Sequence, residues 1–231
     1  MLYTARDVHK DTVYFTIMPC RITNICSRGR VLIGFYGMWL HLMIITQIAA
    51  TRLFRWLKFV YGGVSLSSNL PEFDKNKRYI FISNHRSKLD APVIFSSIPL
   101  CTLRRVAPMK FMTAASIYHS VQRPILASCG CYPHKIPGVD IIDYSAEQMA
   151  RGCNLMIFPE GMRVTRSQSD PKSGVIRLLS RTKSYHPIII LVRVEWRRQG
   201  WRRYATVTFA EVPPSLNTQN AHAIMEAIYR L

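Results

Sequence analysis

Apolar residues along this chain recur at two spacings. Short β-branched or aromatic runs, bounded by turn residues, alternate with longer stretches whose apolar positions return every three to four residues. Arg78-Tyr79-Ile80-Phe81-Ile82, Leu155-Met156-Ile157-Phe158 and Pro187 to Val194 read as buried strands. Tyr204 to Val212 reads as a returning strand stopped by Pro213-Pro214, and Gly130 to Lys135 as a short β-like piece. Helical spacing runs from Ile141 to Ala150 and ends at Arg151-Gly152, a fitting C-terminal cation and glycine. It returns from Val175 to Thr182, opened by Lys172-Ser173-Gly174, and again from Ala221 to Leu231. Gly62-Gly63 with Ser65 to Asn69 reads as a connection, Pro71 to Lys77 as a polar turn, and Arg197 to Arg203 as a turn between the last strands. Strands alternating with helices predict an α/β domain with a mainly parallel central sheet flanked by helices.

One stretch departs from this rhythm. Val31 to Ala50 carries no formal charge, with Gly34, Gly37, His41 and Gln47 as its interruptions. Arg52, Arg55 and Lys58 follow at helical spacing among Leu53, Phe54, Trp56, Leu57 and Phe59. Length alone permits a membrane-spanning helix. With the remainder in the cytoplasm, spanning would export an arm holding Arg6, Lys10, Arg21, Arg28 and Arg30, against the positive-inside tendency. Attachment to one leaflet, with the basic flank among the headgroups, avoids that export and is the favoured reading. The run begins too late for a cleavable signal, and no small-residue cleavage site follows it. The expected organisation is an N-terminal arm with a membrane-attached helical segment over residues 1–60, then a domain over 61–231 long enough for one substantial core.

Composition changes the picture through charge. The 231 residues include 31 basic and 13 acidic ones, a formal net charge of +18. Such an excess points to a polyanionic partner, either nucleic acid or an anionic membrane face. Between Arg193 and Arg203, arginines stand beside Trp196 and Trp201. That pattern suits a headgroup-level anchor, stacking on RNA bases, or a merely solvated basic hairpin. The apolar N-terminal run favours the membrane over nucleic acid. Six cysteines show no CxxC pair and no zinc-ligand spacing, so free thiols in a reducing compartment are expected, and no metal site.

The candidate chemistry begins at Ser83-Asn84-His85-Arg86-Ser87-Lys88-Leu89-Asp90, between a strand and a helix whose early turn Pro92 suits. Residues five apart on one helix stand about 140° apart around its axis. His85 and Asp90 therefore meet only if the histidine lies in the turn and the aspartate in the first helical turn. Such a pair makes a base with an orienting carboxylate: Asp90 fixes the proton on one ring nitrogen and leaves the other free to accept one. The plain alternative is a surface histidine at a helix start, with the aspartate favouring the positive helix end.

Two further motifs follow in order. Gly130-x-Tyr132-Pro133-x-Lys135 and Phe158-Pro159-Glu160-Gly161-Met162-Arg163 come after Asn84-His85-x4-Asp90. Together they resemble the ordered motifs of the glycerolipid acyltransferases, within that family most of all the 1-acyl-sn-glycerol-3-phosphate (lysophosphatidate) acyltransferase type. The resemblance covers roughly residues 50–231 and marks 61–231 as an acyltransferase domain. The chain departs from the family pattern at Met162, where threonine is usual, and at Ile190, where the fourth motif carries proline. Lys135 stands where arginine is more frequent, which keeps the charge and loses the bidentate fork.

The resemblance implies transfer of a fatty acyl group from an acyl thioester, acyl-CoA or acyl carrier protein, to the free hydroxyl of lysophosphatidate, giving phosphatidate. No metal or further cofactor is implied. His85 would be the general base and Asp90 its orienting carboxylate. The substrate hydroxyl is then the nucleophile, and no catalytic serine or cysteine is needed. Arg163 suits phosphate oxygens with its planar fork, and Lys135 adds a second cation. The resemblance assigns Glu160 and Gly161 to the same acceptor site, Gly161 for close backbone approach and Glu160 to order the arginine or a glycerol hydroxyl. Backbone N–H groups near the helix after Asn84 are one expectation for the oxyanion donors. Another lysophospholipid or a lyso-aminolipid is the alternative acceptor. An inactive basic membrane- or RNA-binding protein on the same scaffold is the alternative of another class. The expected location is the cytoplasmic face of a membrane, the bacterial inner membrane or the endoplasmic reticulum.

Overall fold

The computed structural model describes residues 29–61, 64–66, 70–114, 118, 123–161, 163, 170–200 and 202–231. The N-terminal arm over 1–28, the Gly62-Gly63 link, Met162 and Trp201 lie outside them. The strands are β1 (Val64–Leu66), β2 (Tyr79–Ser83), β3 (Met109–Thr113), β4 (Cys131–Pro133), β5 (Asn154–Ile157), β6 (Ile188–Gln199) and β7 (Arg202–Glu211). They join in the order β1-β7-β6-β2-β5-β3-β4, with β6 and β7 antiparallel and every other pair parallel. This is the mainly parallel α/β sheet expected from the alternation of elements.

Parallel strands need both faces covered, and the period-two side-chain pattern shows how. Along β2, Tyr79 and Phe81 join Val93, Ile94, Phe111 and Val192 on one side of the sheet. Ile80 and Ile82 join Ile142, Leu178, Ile224 and Ile228 on the other. All four β2 side chains are at most 1% exposed, and burying each contributes roughly 1.5–3 kcal/mol.

Two segments differ from expectation. Ser65 and Leu66, expected within a connection, instead belong to the strand Val64–Leu66, paired in parallel with Ala205 to Val207. Serine and glycine around three residues mask so short a strand. The turn expected over Arg197 to Arg203 is shorter, because the ladder continues through Arg197↔Tyr204, Arg198↔Arg203 and Gln199↔Arg202. β6 pairs with β2 only as far as Val192, and Arg197, Arg198, Arg202 and Arg203 at the tip of the hairpin are exposed, so no apolar residues mark the ladder there.

The apolar run and its basic flank form a single helix, α1 (Gly29–Tyr61). The chain divides into two compact units, Met1–Trp39 and Leu40–Leu231. In the second unit Met43, Gln47 and Thr51 repeat four residues apart on a buried stripe. Gln47 Nε2 donates to the carbonyls of Met109 (2.6 Å) and Cys129 (2.9 Å), and its Oε1 accepts from the Met109 N–H (3.2 Å). Thr46 Oγ1 donates to the Ser128 carbonyl at 2.5 Å, and Arg55 donates to the carbonyls of Ser96 and Ile98. Gln47, one of the interruptions in the run, thus docks it, together with Thr46 and Arg55. Leu42, Ile45, Leu53 and Trp56 remain exposed. Among the described residues, no helix is long and apolar enough to cross a membrane.

Candidate active site

β2 and β5 run in parallel register with Ile82 opposite Ile157. His85 and Glu160, each three residues further on, therefore leave the sheet side by side at the carboxyl ends of their strands. That edge is where open α/β sheets bind ligands. Asn84 makes the exit possible. Its Nδ2 donates to the Val194 carbonyl (2.9 Å) and its Oδ1 accepts from the Val194 N–H (2.8 Å). A side chain thus continues the ladder to β6 while the backbone turns away.

Asp90 opens the helix α2 (Asp90–Ser97) and folds its carboxylate back over the preceding loop. Oδ2 accepts from His85 Nδ1 (2.9 Å), the Arg86 N–H (2.6 Å) and the Ser87 N–H (2.7 Å). Oδ1 accepts from the Trp196 indole N–H at 2.7 Å. The Asp90 side chain is 0% exposed and that of His85 22%, so the aspartate is no solvated first-turn acid. A carboxylate accepts and does not donate, so the neutral imidazole facing it carries its proton on Nδ1 and leaves Nε2 able to take one. The ring stacks on Phe158 at 4.4 Å between centroids.

Glu160 is nearly as buried, at 2% exposure. Its Oε2 accepts from the His85 N–H at 2.6 Å, and its Oε1 from the Tyr229 hydroxyl at 2.5 Å. Tyr229 belongs to the terminal helix Ala221–Arg230. Burial, and then the Glu160 carboxylate, push its phenol well above the usual range and keep it a donor. The Arg86 guanidinium lies over the Tyr229 ring, 5.1 Å from its centroid, and Arg193 Nη1 donates to the Tyr229 carbonyl at 2.6 Å. Both Glu160 oxygens are therefore engaged by the protein itself, one by the turn that carries His85 and one by the terminal helix.

Gly161 follows with φ +67°, a conformation that favours glycine. A Cβ there would stand 2.7 Å from Lys172 Cε and 2.8 Å from its Nζ, so the lysine stem lies directly over the turn. The Lys172 N–H also donates to the Pro159 carbonyl at 2.9 Å. Arg163 is exposed two residues beyond Gly161. Lys135 is exposed after β4, which lies three strands from β2; at the usual strand spacing that is roughly 14 Å of sheet. The glycine and tyrosine of its motif serve packing. A Cβ at Gly130 would meet the Met109 carbonyl oxygen at 2.3 Å, and the buried Tyr132 hydroxyl pairs with Ser145 Oγ at 2.8 Å.

The N–H groups of His85, Arg86 and Ser87 already donate to Glu160 and Asp90. The expectation that they form the oxyanion hole is corrected on that ground, since a donor held by a buried carboxylate is not free for a transient oxyanion. Among the described residues, Cys101, Cys129 and Cys131 are free thiols. Burial pushes the Cys131 thiol up to about 11, which leaves it a poor nucleophile at neutral pH. Sequence reasoning missed Trp196, Tyr229 and Lys172. Of these only Lys172 left a signal, its place at the start of a helix just beyond the Phe-Pro-Glu-Gly turn.

A parallel sheet with a buried-carboxylate histidine at its carboxyl edge defines an α/β enzyme site. The family model for acyltransferases matches residues 63–192, more than half of the chain, and the protein belongs to that family of enzymes. Among solved structures it is similar to PlsC from Thermotoga maritima, described as a 1-acyl-sn-glycerophosphate (LPA) acyltransferase. The identity is 16%, the TM-score is 0.55, and 88% of each chain is covered. At that identity the likeness establishes the fold. No curated protein matches the chain.

Proposed function

We propose that this acyltransferase moves a fatty acyl group from an acyl thioester to the free hydroxyl of 1-acyl-sn-glycerol-3-phosphate, giving phosphatidate. His85 Nε2 takes the hydroxyl proton as the oxygen attacks the thioester carbonyl. The C–O bond forms, the C–S bond breaks, and the imidazolium returns the proton to the departing thiolate. Asp90 steadies the imidazolium while it exists. The observation that carries this reading is the partly exposed ring of His85, held at Nδ1 by a buried carboxylate beside the turn that leads to Arg163 and is overlain by Lys172. Those two cations suit the acceptor phosphate, with Lys135 further along the same edge. The donor is acyl-CoA or acyl carrier protein, and no other cofactor is required.

The exposed stripe of Leu42, Ile45, Leu53 and Trp56 supports attachment to a membrane. The exposed Arg197, Arg198 and Arg203 on the hairpin favour an anionic, cytoplasmic face over nucleic acid.

A panel of lysolipid acceptors with and without phosphate, run on wild type and Arg163→Ala, tests the acceptor. A charge-assisted contact is worth about 1.5–3 kcal/mol, so the KM for phosphorylated acceptors should rise roughly 10- to 100-fold in the variant. Acceptors lacking phosphate should be unaffected. An equal loss for every acceptor would remove Arg163 from that role. A wild-type preference for another lysophospholipid or a lyso-aminolipid would move the acceptor and leave the acyl transfer in place.

A further inference from the structure

We propose that Trp196 is a positioning residue for the His85–Asp90 pair, holding the carboxylate in the one rotation that presents Oδ2 to the imidazole. The inference rests on His85 acting as the base.

The donors around Asp90 are unevenly divided. Oδ2 takes three, from His85 Nδ1, Arg86 N–H and Ser87 N–H, while Oδ1 takes the Trp196 N–H at 2.7 Å. No other described residue donates to Oδ1, and the side chain is 0% exposed. Without the indole N–H, a buried anionic oxygen would lose its partner, and the carboxylate would be free to turn about its last torsion toward the three donors on the other side. Such a turn spreads those donors over both oxygens and loosens the hold on Nδ1.

The sequence supplies the indole from an unexpected place. Trp196 lies on β6, two residues beyond Val194, the residue that Asn84 ties to the end of β2. Opposite it in the antiparallel register stands Ala205, small and 1% exposed, which leaves room for the ring to lean over α2. The same Asn84–Val194 exchange therefore sets the height of the tryptophan above Asp90. A residue that reads from sequence as a headgroup-level aromatic is instead turned inward to the catalytic carboxylate.

Replacement of Trp196 by benzothienylalanine, whose sulfur stands where the indole N–H stands, removes the donor and keeps the volume. Trp196→Phe is the genetic counterpart. Arg86, Glu160 and Arg193, the charged groups around the pair, are untouched. With the donor gone and the hold on Nδ1 loosened, the imidazolium loses stabilisation. The acid limb of the kcat profile should move down by about one pH unit. The kcat at neutral pH should fall roughly 10- to 100-fold, as expected for loss of one hydrogen bond to a buried charge. KM for donor and acceptor should stay within about twofold, and the melting temperature of the benzothienylalanine protein close to wild type.

A folded benzothienylalanine protein with unchanged kcat and an unmoved acid limb overturns the inference. So does a fall in melting temperature with the profile unmoved, which would make Trp196 structural only. His85→Ala measured alongside separates the two claims. An inactive His85→Ala beside a wild-type-like benzothienylalanine protein sinks the tryptophan role alone, whereas an active His85→Ala removes the base and this inference with it.

Discussion

His85→Ala is expected to lower kcat by about 10²–10⁴-fold, the range a positioned general base supplies. Thiol release from acyl-CoA in the presence of lysophosphatidate measures it. Among the described residues, the imidazole makes one side-chain hydrogen bond, to Asp90, and one stacking contact, to Phe158. Asp90 keeps three other donors when the ring is removed, so the loop should stay folded. KM for the acceptor should change little, because the cations proposed to hold its phosphate, Arg163 and Lys172, are separate from the ring. Turnover near wild type would take His85 out of the chemistry.

Glu160→Ala should have the largest effect on stability. It removes a buried carboxylate that accepts from the His85 N–H and the Tyr229 hydroxyl. Hydrogen bonds to charged groups are worth about 1.5–3 kcal/mol each, so a loss on the order of 3–5 kcal/mol is expected. Denaturant unfolding should show a lower midpoint at unchanged slope. Activity should fall in kcat as well, since the backbone that carries His85 loses its anchor to the neighbouring strand end. Glu160→Gln, which keeps one acceptor oxygen, should fall between the two. A stable Glu160→Ala protein with a raised acceptor KM and normal kcat would place the carboxylate on the substrate, the role the family resemblance suggested.

Much of the sheet was legible in the sequence because its strands are buried on both faces. Tyr79 to Ile82, Leu155 to Ile157 and Ile188 to Val192 have no polar side to obscure them. The His85–Asp90 pairing was legible too, since only a turn-then-helix geometry lets those positions meet. Other parts were not. Val64–Leu66 is stabilised by pairing with β7, a partner about 140 residues away that local composition does not reveal. Gln47 read as an interruption of an apolar run, yet it is the polar clamp that docks α1 on the Met109 and Cys129 backbone. Glu160 has the right residue type for acceptor contact, and the register of β2 with β5 also sets it against the His85 backbone, a contact that local composition does not reveal. The arginines of the β6–β7 hairpin drew attention by charge, while Trp196 among them faces inward by strand alternation.

The most direct test is the position of the imidazole proton in the protein with ¹⁵N-labelled histidine, read by NMR at a pH where His85 is neutral. A directly bonded proton on Nδ1 and none on Nε2 is the expected state, with that preference lost in Asp90→Asn. A proton resident on Nε2 in the wild-type protein would contradict it, because the nitrogen meant to receive the lipid hydroxyl's proton would already be occupied.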